Sequence, residues 1–179
     1  MTIPTINVAT FPVDLCTGAR DACCFFAGAF LGRNDAAYLH TAGITDVACV
    51  DTDEAKLIEM HEIYPPTWKW LARDAYEVAR ETRDSRRKAD VVTVDPWTGD
   101  IGRALWALPL WLAVTERVLI IGTCLDWFDS MKLPATLDGA NEWITRQHWS
   151  GAPTPPPATR LVKYSEYRGG LWWLVFELA

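Results

Sequence analysis

Four apolar runs in this chain close on an acid or a turn: Ala22–Gly28, Asp46–Asp51, Ala89–Asp95 and Arg117–Thr123. Polar, helix-like stretches separate them. A strand buried on both faces reads as a continuous apolar run, and parallel neighbours must be joined by crossover helices. The alternation therefore predicts a doubly wound α/β sheet. Such sheets bind ligands outside the carboxyl ends of their strands. Asp51, Asp74 and Asp95, far apart in the chain, become candidates for one shared rim.

The remaining elements are read from periodicity and punctuation. Asn34–Thr41 reads as a helix, with Asn34 as cap and Gly43 as stop. Asp53–Tyr64 is amphipathic, with Leu57, Met60 and Tyr64 on one face. Trp68–Leu71 is a short third strand and Tyr76–Lys88 a charged helix. Ile101–Leu108 is helical, and Pro109 breaks or kinks the chain directly after it. Asn141–Trp149 is a last helix. The Pro-rich stretch Ser150–Ala158 leads to Arg160–Tyr167 and Leu171–Leu178, joined through Gly169-Gly170 as a β-hairpin. One hairpin is not stable alone, so it should join the main sheet. Residues 1–21, interrupted by Pro4 and Pro12, read as an N-terminal arm, and residues 22–179 as a single domain.

Composition narrows the function. Half of the 179 residues are hydrophobic, enough for a sizeable core, and the net charge of −6 argues against broad nucleic-acid binding. No apolar run reaches the roughly 18–20 residues of a membrane helix. The five Cys lack paired spacing and read as free thiols of a reducing cytoplasm. The three His show no ligand spacing, so no metal is expected. Ten Trp point to core packing or to a sticky surface for a protein partner or a second copy. Among Arg80–Lys88, the one basic cluster, Glu81 and Asp84 intervene, which fits a solvated helix face.

The element order, five β/α units and then a helix and a terminal hairpin, resembles the class I S-adenosylmethionine (SAM)-dependent methyltransferase family. Four short motifs carry the resemblance. Phe26 to Gly32 resembles the family's Gly-rich turn: Gly28 and Gly32 match its outer glycines, while Phe26 stands where an acid is usual and Phe30 where a middle Gly is usual. Asp14-Leu15-Cys16-Thr17-Gly18 offers a rival register for that turn, with its strand at Ile6–Val13. Asp51, with Thr52 next to it, resembles the acid that accepts hydrogen bonds from the ribose hydroxyls; a helix cap is the alternative for Asp51 or Asp53. Arg73-Asp74-Ala75 resembles the segment whose Asp accepts from the adenine amino group, again with a cap as the alternative. Asp95-Pro96-Trp97 resembles the motif with which amino-methylating members hold and stack the target amine, shortened by one Pro.

The resemblance implies a Rossmann-like fold: five parallel strands plus an antiparallel C-terminal hairpin. It implies SAM as cofactor, with Gly28, Phe30, Gly32, Asp51, Thr52, Asp74 and Ala75 binding it. Asp95, Pro96 and Trp97 would be the catalytic group. The expected activity is methyl transfer to a small molecule or an amine-bearing substrate, including a protein amine, in the cytoplasm. The alternative is a catalytically degenerate methyltransferase fold reused for binding or structure, of a kind a phage could encode, acting in the host cytoplasm or the virion. A nicotinamide-dependent oxidoreductase is the third reading, against which the terminal hairpin and the missing Gly-x-Gly-x-x-Gly speak.

Overall fold

The computed structural model describes residues 12–29, 32–96, 101–124, 132–148, 156–165 and 170–178. Among them seven strands form one sheet: β1 (Asp21–Phe25), β2 (Asp46–Asp51), β3 (Lys69–Ala72), β4 (Ala89–Val94), β5 (Thr115–Cys124), β6 (Arg160–Ser165) and β7 (Leu171–Glu177). Their order is β3-β2-β1-β4-β5-β7-β6. The first five are mutually parallel; β7 runs antiparallel to β5, and β6 to β7. The terminal hairpin thus completes the main sheet, as expected from its inability to stand alone.

Seven helices are described: α1 (Val13–Cys16), α2 (Gly32–Thr41), α3 (Glu54–His61), α4 (Ala75–Asp84), α5 (Ile101–Trp106), α6 (Leu108–Ala113) and α7 (Leu137–His148). Strand alternation feeds two cores. Phe25, Val50, Val92, Val94, Leu119 and Ile121 bury one face with α4 to α7. Cys24, Cys49, Val91, Val118, Ile120 and Trp173 bury the other with α1 to α3. Because both faces are covered, the central strands are apolar at nearly every position. Trp172 and Trp173 face opposite sides, as neighbours on a strand must, and Trp173 is fully buried.

Local chemistry sets the boundaries. Asp53 caps α3 by accepting the Lys56 amide at 3.1 Å, and Asp74 caps α4 by accepting the Glu77 amide at 2.9 Å. Gly43 (φ 79°) closes α2 in the left-handed conformation that glycine adopts without penalty. Asn141 on α7 holds both the amide and the carbonyl of Ala158, fixing the approach to β6.

Some boundaries differ from the sequence expectation. β1 ends at Phe25, because Phe26 (φ 63°) already turns the chain. α2 begins at Gly32, so Asn34 lies inside it rather than capping it. Pro109 sits in the first turn of α6, where a missing N–H breaks no helical bond, and so it starts a second helix. In the rival turn register, Asp14, Leu15 and Cys16 lie in α1 with Val13 and not in a turn after a strand; Ile6–Phe11 lies outside the described residues. Cys16, the last residue of this helix, is fully buried. Burial and the neighbouring Asp14 and Asp35 push its thiol up to about 12.

Candidate functional site

The chain runs from β1 outward through β2 to β3, then returns to place β4 on the other side of β1. Connections leaving β1 and β4 diverge there, the point at which such sheets open a crevice. Asp51 ends β2 beside that point. Its Oδ2 accepts the Gly28 amide at 3.0 Å and its Oδ1 accepts the Asp53 amide at 2.8 Å. A Cβ at position 28 would lie 3.1 Å from both the Asp51 Cγ and the Lys56 Cβ, so glycine lets the β1 turn rest on β2. Asp53, not Asp51, supplies the helix cap. Each Asp51 oxygen keeps a further lone pair beyond its one backbone bond.

Asp51 and Thr52 meet Asp74 and Ala75, from the start of α4, on a cavity of about 210 Å³. Four of the sequence-predicted cofactor residues therefore share one wall system. Phe26, Tyr76 and Arg103 complete the lining. The Phe26 ring stands edge-on to Tyr76 at 5.7 Å and to Trp111 at 6.3 Å, and Tyr76 lies 5.2 Å from Trp111. The guanidinium carbon of Arg103 sits 4.1 Å above the Tyr76 ring. Asp74 uses Oδ1 as the α4 cap yet lines the cavity, so capping and ligand contact are compatible here. Arg73, in place of the family's usual Gly, is bound to Glu81 by two hydrogen bonds of 2.9 and 2.7 Å.

Asp95 and Pro96 lie just past β4 and are not in that lining. Asp95 is 1% exposed. Its carboxylate lies over Gly122, where an added Cβ would fall 2.6 Å from Asp95 Cγ. Strand alternation places it on the α2 side with Thr93, beneath Asp35, which is itself 0% exposed. Burial first, and then the Asp95 charge and Cys24, push the Asp35 carboxyl well above the ordinary carboxylate range, while the Thr93 hydroxyl pulls the other way. Two facing buried carboxyls cannot both ionise cheaply.

Of the expected site residues, Gly28, Asp51, Thr52, Asp74 and Ala75 come together, and Asp95 and Pro96 do not line that cavity. Gly32 opens α2. Phe30 and Trp97 lie outside the described residues. Sequence reading missed Tyr76, Arg103 and Asp35. Asp35 left a signal, an acid directly before the buried Ala36, Ala37 and Leu39 of its helix. Among the described residues no group of three His, Cys, Asp or Glu converges as a metal set, and no helix is long and apolar enough to cross a membrane.

No family model and no curated protein matches the sequence. Solved structures do match the fold. A Streptococcus mutans protein assigned as a SAM-dependent methyltransferase superposes with a TM-score of 0.63 at 10% identity, covering 93% of this chain and 46% of that one. SMU.776, assigned as a methyltransferase and solved with S-adenosylhomocysteine, gives 0.57 at 12% identity, covering 92% and 47%. TrmN from Thermus thermophilus gives 0.57 at 18% identity, covering 91% and 45%. The chain has the class I methyltransferase fold and spans about half the length of these structures.

Proposed function

We propose that this protein is a SAM-dependent methyltransferase acting on a small molecule or an amine-bearing substrate. The observation that carries this reading is the convergence of Asp51, Thr52, Asp74 and Ala75 on one cavity at the carboxyl rim of the sheet. Two carboxylates there present acceptors to a ligand rich in donors, as ribose hydroxyls and a base amino group are. At about 210 Å³ the cavity is below the roughly 300–1,000 Å³ usual for a whole small ligand and suits the nucleoside part. That fit supports SAM as the cofactor, and its neighbour with S-adenosylhomocysteine adds to it.

When bound, SAM supplies an electrophilic methyl on a sulfonium. The chain needs no nucleophile of its own; its work is to bind, orient and exclude water. Asp51 and Asp74 hold the nucleoside. Gly28, pinned by Asp51, sets the floor of the turn. Asp95 would hold the acceptor amine and take its proton, which requires its carboxylate to be reached from the rim.

The burial of Asp95 over Gly122 favours a second reading, a fold of this family that binds a nucleoside ligand but does not transfer methyl. Isothermal titration with SAM and S-adenosylhomocysteine tests the first claim of both. Micromolar binding, weakened about ten-fold in Asp74→Ser, is expected; absence of heat and of thermal shift at millimolar ligand overturns the cofactor assignment. Methyl transfer from labelled SAM to an amine library then separates enzyme from binder.

A further inference from the structure

We propose that Arg103 is a ligand-binding residue of this cavity, its guanidinium stacking on the flat base of the bound nucleoside. This rests on the nucleoside reading of the cavity and assigns a contact that the motifs do not contain. Arg103 lines the cavity together with Asp51, Thr52 and Asp74, yet among the described residues it makes no ion pair with either acid. Its guanidinium carbon lies 4.1 Å from the Tyr76 ring centre, at stacking distance.

The stack is braced from behind. Tyr76 is buried against Phe26 and Trp111. Trp111 in turn donates from Nε1 to the carbonyl of Ala104 at 2.8 Å, the residue next to Arg103. α5, α6 and the first turn of α4 therefore hold both partners in register. The outer face of a guanidinium already parked on an aromatic ring is free to take a second flat π system. Arginine suits this because its charge is delocalised over a plane, whereas a lysine ammonium is a point charge. The positive charge also offsets one of the two carboxylates that take the hydroxyl and amino donors, which halves the negative charge facing an uncharged base.

The test titrates adenosine, ribose and S-adenosylhomocysteine into the wild type, Arg103→Ala and Arg103→Lys. Stacking on arginine predicts an affinity loss of roughly ten-fold for Arg103→Ala. Arg103→Lys should recover less than half of that loss, since charge without a plane does not stack. The affinity advantage of adenosine over ribose alone should shrink in both variants, a readout of the base contact that a merely structural role does not move. The melting temperature of the ligand-free protein should fall by no more than a few degrees, for the loss of one exposed cation–π contact. Unchanged affinity and an unchanged preference for adenosine over ribose in the variants, with a binding wild type, overturn the role of Arg103 alone. A wild type that binds neither adenosine nor S-adenosylhomocysteine overturns the nucleoside reading and this inference with it.

Discussion

Asp35, on α2, is a fully buried carboxyl facing Cys24, Thr93 and Asp95. Its raised folded-state pKa means that the folded protein holds the proton more tightly than the unfolded chain. The associated stability is present below the unfolded value, about 3.9, and is lost as pH rises toward the folded value. Asp35→Asn removes that loss while keeping the shape. The variant should match the wild type near pH 4 and melt higher at pH 8 by roughly 2–4 °C for each kcal/mol relieved. Parallel pH profiles of the two proteins would sink the argument. Gly122 is the complementary case. Gly122→Ala drives a methyl into the Asp95 carboxylate and should cost about 1–3 kcal/mol in urea unfolding. Adding Asp95→Ala should recover most of it, and strict additivity would show that the two do not touch.

Among the helices, the first turn of α4 carries two jobs at once. Asp74 caps the helix through Oδ1 and lines the cavity. Serine caps as well as aspartate but is too short to replace its reach. Asp74→Ser should therefore hold stability within a few tenths of a kcal/mol while weakening S-adenosylhomocysteine by about ten-fold; Asp74→Ala should lose about 1 kcal/mol as well. If serine binds like the wild type, Asp74 is a cap and nothing more. Asp51 does not allow so clean a separation. Its carboxylate ties the turn after β1 to the start of α3, so Asp51→Ala should destabilise by about 1–3 kcal/mol in addition to any loss of affinity.

Across the sheet, the segment before β1 is anchored by Asp90, which accepts the Arg20 amide at 2.8 Å and its guanidinium at 3.2 and 3.0 Å. The Arg20 hydrogen bonds hold the Asp90 carboxyl below its ordinary value. This contribution has the opposite sign to that of Asp35: it is present above the unfolded value and lost as pH falls. The Arg20 side chain is 82% exposed, so water screens the ionic part. Asp90→Ala should cost about 2 kcal/mol at pH 7, mainly through the orphaned backbone amide, and the difference should shrink as pH falls below the ordinary carboxylate range. An undiminished difference at low pH would assign the effect to packing instead.

The strand beat and the Gly-Gly hairpin carried the fold, because burial on both faces writes itself into local composition. Ala89–Asp95 could be nothing but a central strand, and Leu171–Leu178 had nowhere to go but the main sheet. Asp51 and Asp74 were legible for a similar reason: an acid that ends a strand must lie on the rim. What stayed hidden depends on direction and distance. Position 95 also ends a strand, yet its side chain is buried over Gly122 of the adjacent strand β5, where the absent side chain leaves room. Arg103 reads in the chain as an ordinary charged helix residue, and only the packing of α5 and α4 around α6 sets it on Tyr76. Periodicity records which residues leave water; which of them then meet is settled by packing between segments that the chain keeps far apart.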